Sequence, residues 1–157
     1  MRKLITSGMF VVGMVSLPVA MSPRQVTATP APDFRNDPRL STLRNFFHKT
    51  ACPAERYAEA FLEAADSNAL DWRLLPSLSF VESTGGKNAQ HNNIFGWDSG
   101  RAHFPSPIAG IHAVGYHLSH SDLYRAKGLD KVLAIYNPNL EYVRKVKSVM
   151  RQISPSE

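Results

Sequence analysis

The sequence predicts a mainly α-helical domain with one small β-hairpin. Apolar residues recur at three- and four-residue spacing in several stretches after residue 40, as they do along the buried face of a helix. Proline, serine, aspartate or asparagine stands at the start of most of these stretches, where such residues cap or open helices. The sequence has no internal repeat and no long strand pattern, and its 157 residues suffice for one domain.

Residues 1–21 have the composition of a targeting segment. Arg2 and Lys3 form a charged start, and mostly apolar residues follow as far as Ala20. Cleavage after Ala20 would put Pro18 in an unfavourable position, so an uncleaved signal anchor is the alternative, although its apolar stretch is short for a bilayer. We therefore expect a signal peptide or an N-terminal membrane anchor, and export to the periplasm or cell envelope.

Residues 22–39 are predicted to be a linker, and residues 40–157 the folded domain. Four prolines lie among serine, threonine and alanine between residues 22 and 39. This composition is typical of an extended linker that holds a domain away from a membrane or lies loose after cleavage. The domain contains the only cysteine, Cys52, so no disulfide can form within the chain.

The charge balance is basic. The formal net charge is +5, and two of those charges come from Arg2 and Lys3. This balance suits an anionic polymer such as cell-wall glycan with its anionic attachments. No nucleic-acid motif and no run of Lys or Arg interleaved with aromatic residues is present. We therefore expect no nucleic-acid partner, and a basic nucleic-acid-binding protein is only the third alternative.

Local start and stop signals divide the domain into six predicted helices. Capping residues and first-turn prolines mark most of the starts. The predicted helices are 40–49, a helix opened by Pro53 and ending at 66–68, a helix capped by Asp71, a helix capped by Ser106 and opened by Pro107, 130–136, and a last helix capped by Asn137 and opened by Pro138.

The helix that follows Asp71 is the most apolar, and it leads to Glu82. Its leucines recur at helical spacing, which predicts a buried helix. Pro76 either kinks this helix or marks its true start, and in both cases Glu82 lies in its last turn. Gly85 and Gly86 then stop the helix. We expect burial and the negative end of the helix dipole to favour a protonated Glu82, as a general acid requires.

A second informative stretch begins eleven residues after Glu82. Residues 93–97 read Asn-Ile-Phe-Gly-Trp, and such aromatic and amide groups are the usual surface for holding sugar rings. Residues 93–97 and 101–104 are predicted to pair as the hairpin, with Asp98, Ser99 and Gly100 as its turn.

These stretches, in this order and spacing, resemble a known family. Glu82-Ser83 after an apolar helix, the 93–97 stretch, Tyr136-Asn137-Pro138 and Tyr142-Val143 together resemble the glucosaminidase domain of bacterial cell-wall hydrolases. That family is related in fold to soluble lytic transglycosylases and goose-type lysozymes. The resemblance covers roughly residues 53–153 and implies a lysozyme-like fold, with the hairpin beside an active-site cleft.

The resemblance implies an endo-β-N-acetylglucosaminidase that cleaves β-1,4 bonds in peptidoglycan, with Glu82 as general acid. By the same resemblance, Tyr136 lies in the cleft near the acid. The backbone of Asn93 and the ring of Phe95 bound an N-acetyl pocket, and Gly96 lets the sugar approach the backbone. Ser83 either binds the sugar or caps the helix. The full expected substrate-binding set is Ser83, Asn93, Phe95, Gly96, Trp97 and Asn137.

Glycoside hydrolysis normally needs a second carboxylate. Asp98 is the nearest candidate to the site stretches, although an ordinary turn residue is the simpler interpretation. Asp122 and Asp130 are further options, each more simply a helix cap. The resemblance also allows the substrate's own N-acetyl group to replace the base. It further allows a lytic transglycosylase, which uses one glutamate and forms an anhydro ring.

Other classes of function are weaker alternatives. A non-catalytic peptidoglycan-binding module or envelope scaffold would keep the aromatic cleft without needing the acid. His117 and His120 share one helical face, but no carboxylate or cysteine completes a metal site at the usual spacing. We therefore expect no metal, no cofactor, and a monomer whose partner is the glycan strand.

Overall fold

The computed structural model describes residues 32–155, so the predicted targeting segment 1–21 and residues 22–31 of the predicted linker lie outside the described residues. The prediction of a mainly α-helical domain is confirmed. The described part contains six α-helices and one 3₁₀ helix, with no strand. The elements are α1 (Pro38–Lys49), the 3₁₀ helix (Pro53–Tyr57), α2 (Ala58–Ser67), α3 (Leu74–Ser83), α4 (Pro107–His120), α5 (Leu129–Tyr136) and α6 (Leu140–Ile153).

Helix α3 lies at the centre of the domain. Every residue from 74 to 79 is buried, including the two serines, and Ser79 Oγ donates to the Pro76 carbonyl at 2.8 Å. Helix α6 packs against α3, while α2 packs against α4 and α1 contacts both α2 and α6. A helix that is apolar on all sides is stable only when neighbours cover every face, so the predicted burial of α3 is confirmed.

The structure decides between the two interpretations of Pro76. Helix α3 begins at Leu74, so Pro76 occupies its first turn, where the missing N–H would have no helical partner in any case. Asp71 lies in the turn before the helix, where its carboxylate accepts from the Arg73 backbone N–H at 2.9 Å. The helix therefore needs no kink to reach Glu82.

The end of the predicted linker belongs to the folded domain. Phe34 is 7% exposed and lies in the hydrophobic core. Helix α1 begins at Pro38, and Asp37 caps it by accepting from the Arg39 backbone N–H at 2.8 Å. Among the described helices, none is long and apolar enough to cross a membrane.

The predicted hairpin over residues 93–104 is wrong. The segment is a series of turns, and the nearest approach to β structure is one isolated bridge between Gln90 and Asn93. Asp98 and Ser99 have φ of +53° and +54°, as in a tight turn, but residues 93–97 and 101–104 on either side of this turn form no strand. The Asn93 side chain also accepts a hydrogen bond from the Trp97 N–H at 2.9 Å and donates one to the Trp97 carbonyl at 3.0 Å. Those are backbone groups that strand pairing would require.

The start of the last helix also differs from the prediction. Asn139, not Asn137, caps α6, and its side chain accepts from the Glu141 backbone N–H at 2.8 Å. Asn137 instead ends α5 with an extended backbone, the conformation favoured for the residue before a proline. Its side-chain oxygen accepts from the Asn139 N–H at 3.0 Å.

Candidate active site

Glu82 lies one residue before the end of α3, and its side chain is exposed. The predicted burial is therefore wrong for Glu82, although its neighbour Ser83 is only 4% exposed. The difference arises because α3 leaves the core in its last turn, where Phe80 and Val81 are already half-buried. The carboxylate thus stands at the surface on the end of a rigid, buried helix.

A tyrosine from the far end of the chain holds the carboxylate. The Tyr142 hydroxyl donates to Glu82 Oε1 at 2.6 Å, across a separation of 60 residues. Burial, and then the hydrogen bond to Glu82, raise the pKa of Tyr142 far above its usual value, so this phenol stays protonated and continues to donate. A short bond of this kind fixes one carboxylate oxygen and leaves the other available.

Gly96 lies against the other carboxylate oxygen. Its φ is +59°, and a Cβ added there would come within 3.0 Å of Glu82 Oε2. Any other residue would be strained by this backbone conformation and would press on the carboxylate. The glycine was predicted to let a sugar approach the backbone, and its missing side chain also leaves space for Glu82 Oε2.

Ser83 ties the end of α3 to the segment that carries Gly96. Its Oγ lies 2.7 Å from the Ile94 carbonyl and accepts from the Gly86 backbone N–H at 2.9 Å. It also lies 3.2 Å from the Ser79 carbonyl within α3. Because Ser83 is buried, the interpretation as a helix-end clamp fits its contacts, and the clamp sets the position of Gly96 beside Glu82.

Tyr136 lies next to Tyr142, as the predicted role near the acid requires. The two rings are parallel, with centroids 6.1 Å apart. The Tyr136 hydroxyl donates to the Phe95 carbonyl at 2.6 Å. Burial, and then the negative charge of Glu82, raise the pKa of Tyr136 well above its usual value. Its phenol is therefore a neutral group close to the acid.

Two members of the predicted sugar pocket are buried inside the protein. Phe95 is 0% exposed, and its ring meets Phe61 edge-on at 6.5 Å. Asn93 is 4% exposed, and its side-chain amide donates to the Trp97 carbonyl and accepts from the Trp97 N–H. These residues hold the turn segment in place, and neither presents its side chain to the surface.

Trp97 and Gly96 do reach a surface cleft, which we call the aromatic cleft. It encloses about 390 Å³. Gly96 links it to Glu82, because this glycine lines the cleft and also contacts the carboxylate. The lining residues are Gly96, Trp97, Asp98, Ser99, Leu123, Tyr124 and Tyr136.

Asp98 and Asn137 have local partners. Asp98 lines the aromatic cleft but pairs with Arg101, with Oδ1 2.7 Å from the guanidinium. Asn137 is half-buried, and its side chain completes the turn between α5 and α6. Each side chain is therefore engaged within its own turn.

Tyr142 is the residue whose role sequence reasoning missed. Within the resemblance it was only one half of a matched Tyr-Val pair. A signal was available, because Tyr142 shares the apolar stripe of α6 with Val146, Val149 and Ile153. A tyrosine on a buried stripe needs a partner for its hydroxyl. The partner could not be read from the pattern.

In residues 32–155, no group of three histidine, cysteine or acidic side chains could hold a metal ion. The nearest histidine–carboxylate approach in these residues joins His48 Nδ1 and Glu55 Oε2 at 3.4 Å, on the exposed surface. Comparisons with protein-family models, curated proteins and solved structures find no match to this chain.

Proposed function

We propose that this protein is a peptidoglycan-cleaving glycosidase in which Glu82 is the general acid. The observation that carries the proposal is the setting of Glu82. An exposed carboxylate on a rigid helix end has one oxygen fixed by Tyr142 and the other left open beside a glycine and an aromatic cleft. General acid catalysis requires a positioned proton donor that substrate can reach.

The two carboxylate oxygens of Glu82 would have different roles. Oε1 accepts from Tyr142, which orients the group, so Oε2 would carry the proton to the glycosidic oxygen. Gly96 leaves space for that oxygen to approach. Tyr136 and Trp97 line the aromatic cleft that begins at Gly96, and sugar rings present apolar faces to such groups.

The contacts of Glu82 favour chemistry with one carboxylate. Glu82 accepts its hydrogen bond from the neutral hydroxyl of Tyr142, and the charge of the predicted partner nearest in sequence, Asp98, is compensated by Arg101. In such a site the substrate's own N-acetyl group would act as nucleophile. The same observation supports the second candidate, a lytic transglycosylase that closes an anhydro ring.

A lysozyme-like fold and a glucosaminidase assignment belong to this proposal. The support for the fold is a central buried helix that ends in the acid, with a turn segment packed across its end. The bond preference, with cleavage after N-acetylglucosamine, rests on the sequence of residues 93–97. Export to the periplasm or envelope rests on residues 1–21.

Mass spectrometry of the fragments released from purified peptidoglycan by the full chain tests this function. Fragments with reducing N-acetylglucosamine ends are the expected result. Reducing N-acetylmuramic acid ends would mean that the protein is a hydrolase that cleaves the other glycosidic bond. Anhydro-muramyl ends would favour the lytic transglycosylase. If the folded protein binds the polymer and releases no fragment, it is a binding module and the role of Glu82 is refuted.

A further inference from the structure

The aromatic rings beside Glu82 continue beyond the aromatic cleft. Trp97 packs edge-on against Tyr136 at 5.7 Å and stacks on His117 at 5.6 Å. The row then passes along the last turn of α4, where neighbouring ring centroids are 6.3 and 4.2 Å apart. We call these six rings the ring row, and in order of contact they are Tyr142, Tyr136, Trp97, His117, Tyr116 and His120.

The outer end of the ring row is open to solvent. Tyr116 is 57% exposed, and both of its histidine neighbours are exposed as well. Leu123, which lines the aromatic cleft beside Trp97, is 58% exposed. Large apolar side chains that are this exposed mark a binding surface when they cluster next to a cleft.

Helix stability alone accounts for only part of this arrangement. Tyr116 and His120 are one turn apart and their rings are nearly parallel, so they stabilise the end of α4 as a local pair. That pair would function anywhere on the helix surface. The stacking of the next ring, His117, on Trp97 joins the pair to the aromatic cleft, and local helix stability does not require this contact.

We infer that the outer ring row, formed by Trp97, His117, Tyr116 and His120, binds further sugar units of a β-1,4-linked N-acetylhexosamine strand whose scissile bond lies at Glu82. The inference rests on the proposed function, and it adds that the protein prefers long strands to short ones. Sugar rings stack on exposed aromatic faces, and the exposed Tyr116 ring lies one ring beyond His117, which stacks on Trp97. The occupant is a glycan, because the row is continuous with the cleft that is proposed to hold glycan.

Binding of defined oligosaccharides tests the inference without relying on cleavage. The probes are a disaccharide and a hexasaccharide of β-1,4-linked N-acetylglucosamine, titrated into the full chain carrying Glu82→Gln. Tyr116→Ala is compared with Tyr116→Phe, which keeps the ring. Ile108→Ala is the control, because it truncates an exposed apolar side chain on the same helix, outside the ring row.

We expect Tyr116→Ala to weaken hexasaccharide binding by about three- to tenfold, the worth of one aromatic contact. Disaccharide binding should fall much less, and Tyr116→Phe and Ile108→Ala should both match the parent. Equal loss for both probes, or no loss for either, would overturn the inference, as would a parent that binds neither probe. Unchanged thermal unfolding of Tyr116→Ala separates lost binding from lost structure.

The two proposals can fail separately. A chain that binds the hexasaccharide through Tyr116 but cleaves no peptidoglycan would refute the proposed function and leave the ring row as a glycan-binding surface. A chain that cleaves peptidoglycan while binding both probes independently of Tyr116 would leave the proposed function standing and refute the role of the outer ring row in glycan binding.

Discussion

Glu82 and Asp98 are both exposed carboxylates near the 93–97 stretch, yet different groups hold them. Glu82 accepts from the neutral hydroxyl of Tyr142, which lies on a distant helix. Asp98 pairs with Arg101 three residues away in the same turn. A hydroxyl orients a carboxylate without cancelling its charge, whereas a guanidinium compensates the charge. Chemistry is therefore expected at Glu82, and local turn structure at Asp98.

Among variants that keep the acid's carboxyl group or change its neighbours, shortening the acid should have the largest effect. Glu82→Asp keeps a carboxyl group but withdraws it by one methylene from Tyr142 and the cleft. We expect the rate of fragment release from peptidoglycan to fall about 10²-fold, because small misplacements of a catalytic group are that costly. The matched control is Glu59→Asp on the exposed face of α2. A rate within a few-fold of the parent would mean that the position of Glu82 does not matter.

Removing the hydroxyl that holds Glu82 should have the next largest effect. Tyr142→Phe keeps the ring stacked on Tyr136 and loses only the bond to the carboxylate. Hydrogen bonds to charged groups are worth about 1.5–3 kcal/mol, so we expect a loss of tenfold or more in the same assay. Tyr57→Phe, on the 3₁₀ helix, is the control. Full activity in Tyr142→Phe would leave Glu82 without its proposed positioning residue.

Ser83→Ala should affect stability. The change removes a buried hydroxyl that joins α3 to the Ile94 carbonyl and the Gly86 N–H. Buried groups that lose their partner cost about 1–3 kcal/mol, so we expect the free energy of unfolding in urea to fall by this amount. Ser67→Ala at the exposed end of α2 should cost far less. If Ser83→Ala unfolds like the parent, Ser83 is not the clamp that sets Gly96 in place.

The smallest effect is expected at Asp98. Exposed ion pairs contribute about 0–1 kcal/mol, so Asp98→Asn should leave both the stability and the rate of fragment release within about twofold of the parent. The distinction between a catalytic Glu82 and a structural Asp98 is refuted if this variant loses as much activity as Glu82→Asp. Asp98 would then be the second catalytic carboxylate.

The helices were predictable from the sequence because their signals are local. Ser106 accepts from the Ala109 backbone N–H at 3.1 Å as an N-cap, and Pro107 opens α4, both as predicted. The spacing of leucines likewise identified α3 as a buried helix. Such patterns depend on residues within one or two turns of each other.

The site was less predictable because its contacts join distant parts of the chain. The bond from Tyr142 to Glu82 spans 60 residues, and no spacing rule indicates it. The hairpin prediction for residues 93–104 was wrong for another reason. The Asn93 side chain bonds to the backbone N–H and carbonyl of Trp97, and these bonds replace the strand pairing that the residue types favour. Tertiary packing then buries Phe95, whose aromatic ring had suggested a sugar pocket.

The most direct test of the central claim measures binding and cleavage on the same peptidoglycan for the parent and Glu82→Gln. Glutamine keeps the size of the side chain and cannot give up a proton. The proposal predicts that the variant binds the polymer as tightly as the parent does and releases no soluble fragment. Release by the variant at the parental rate would contradict the claim that Glu82 is the general acid.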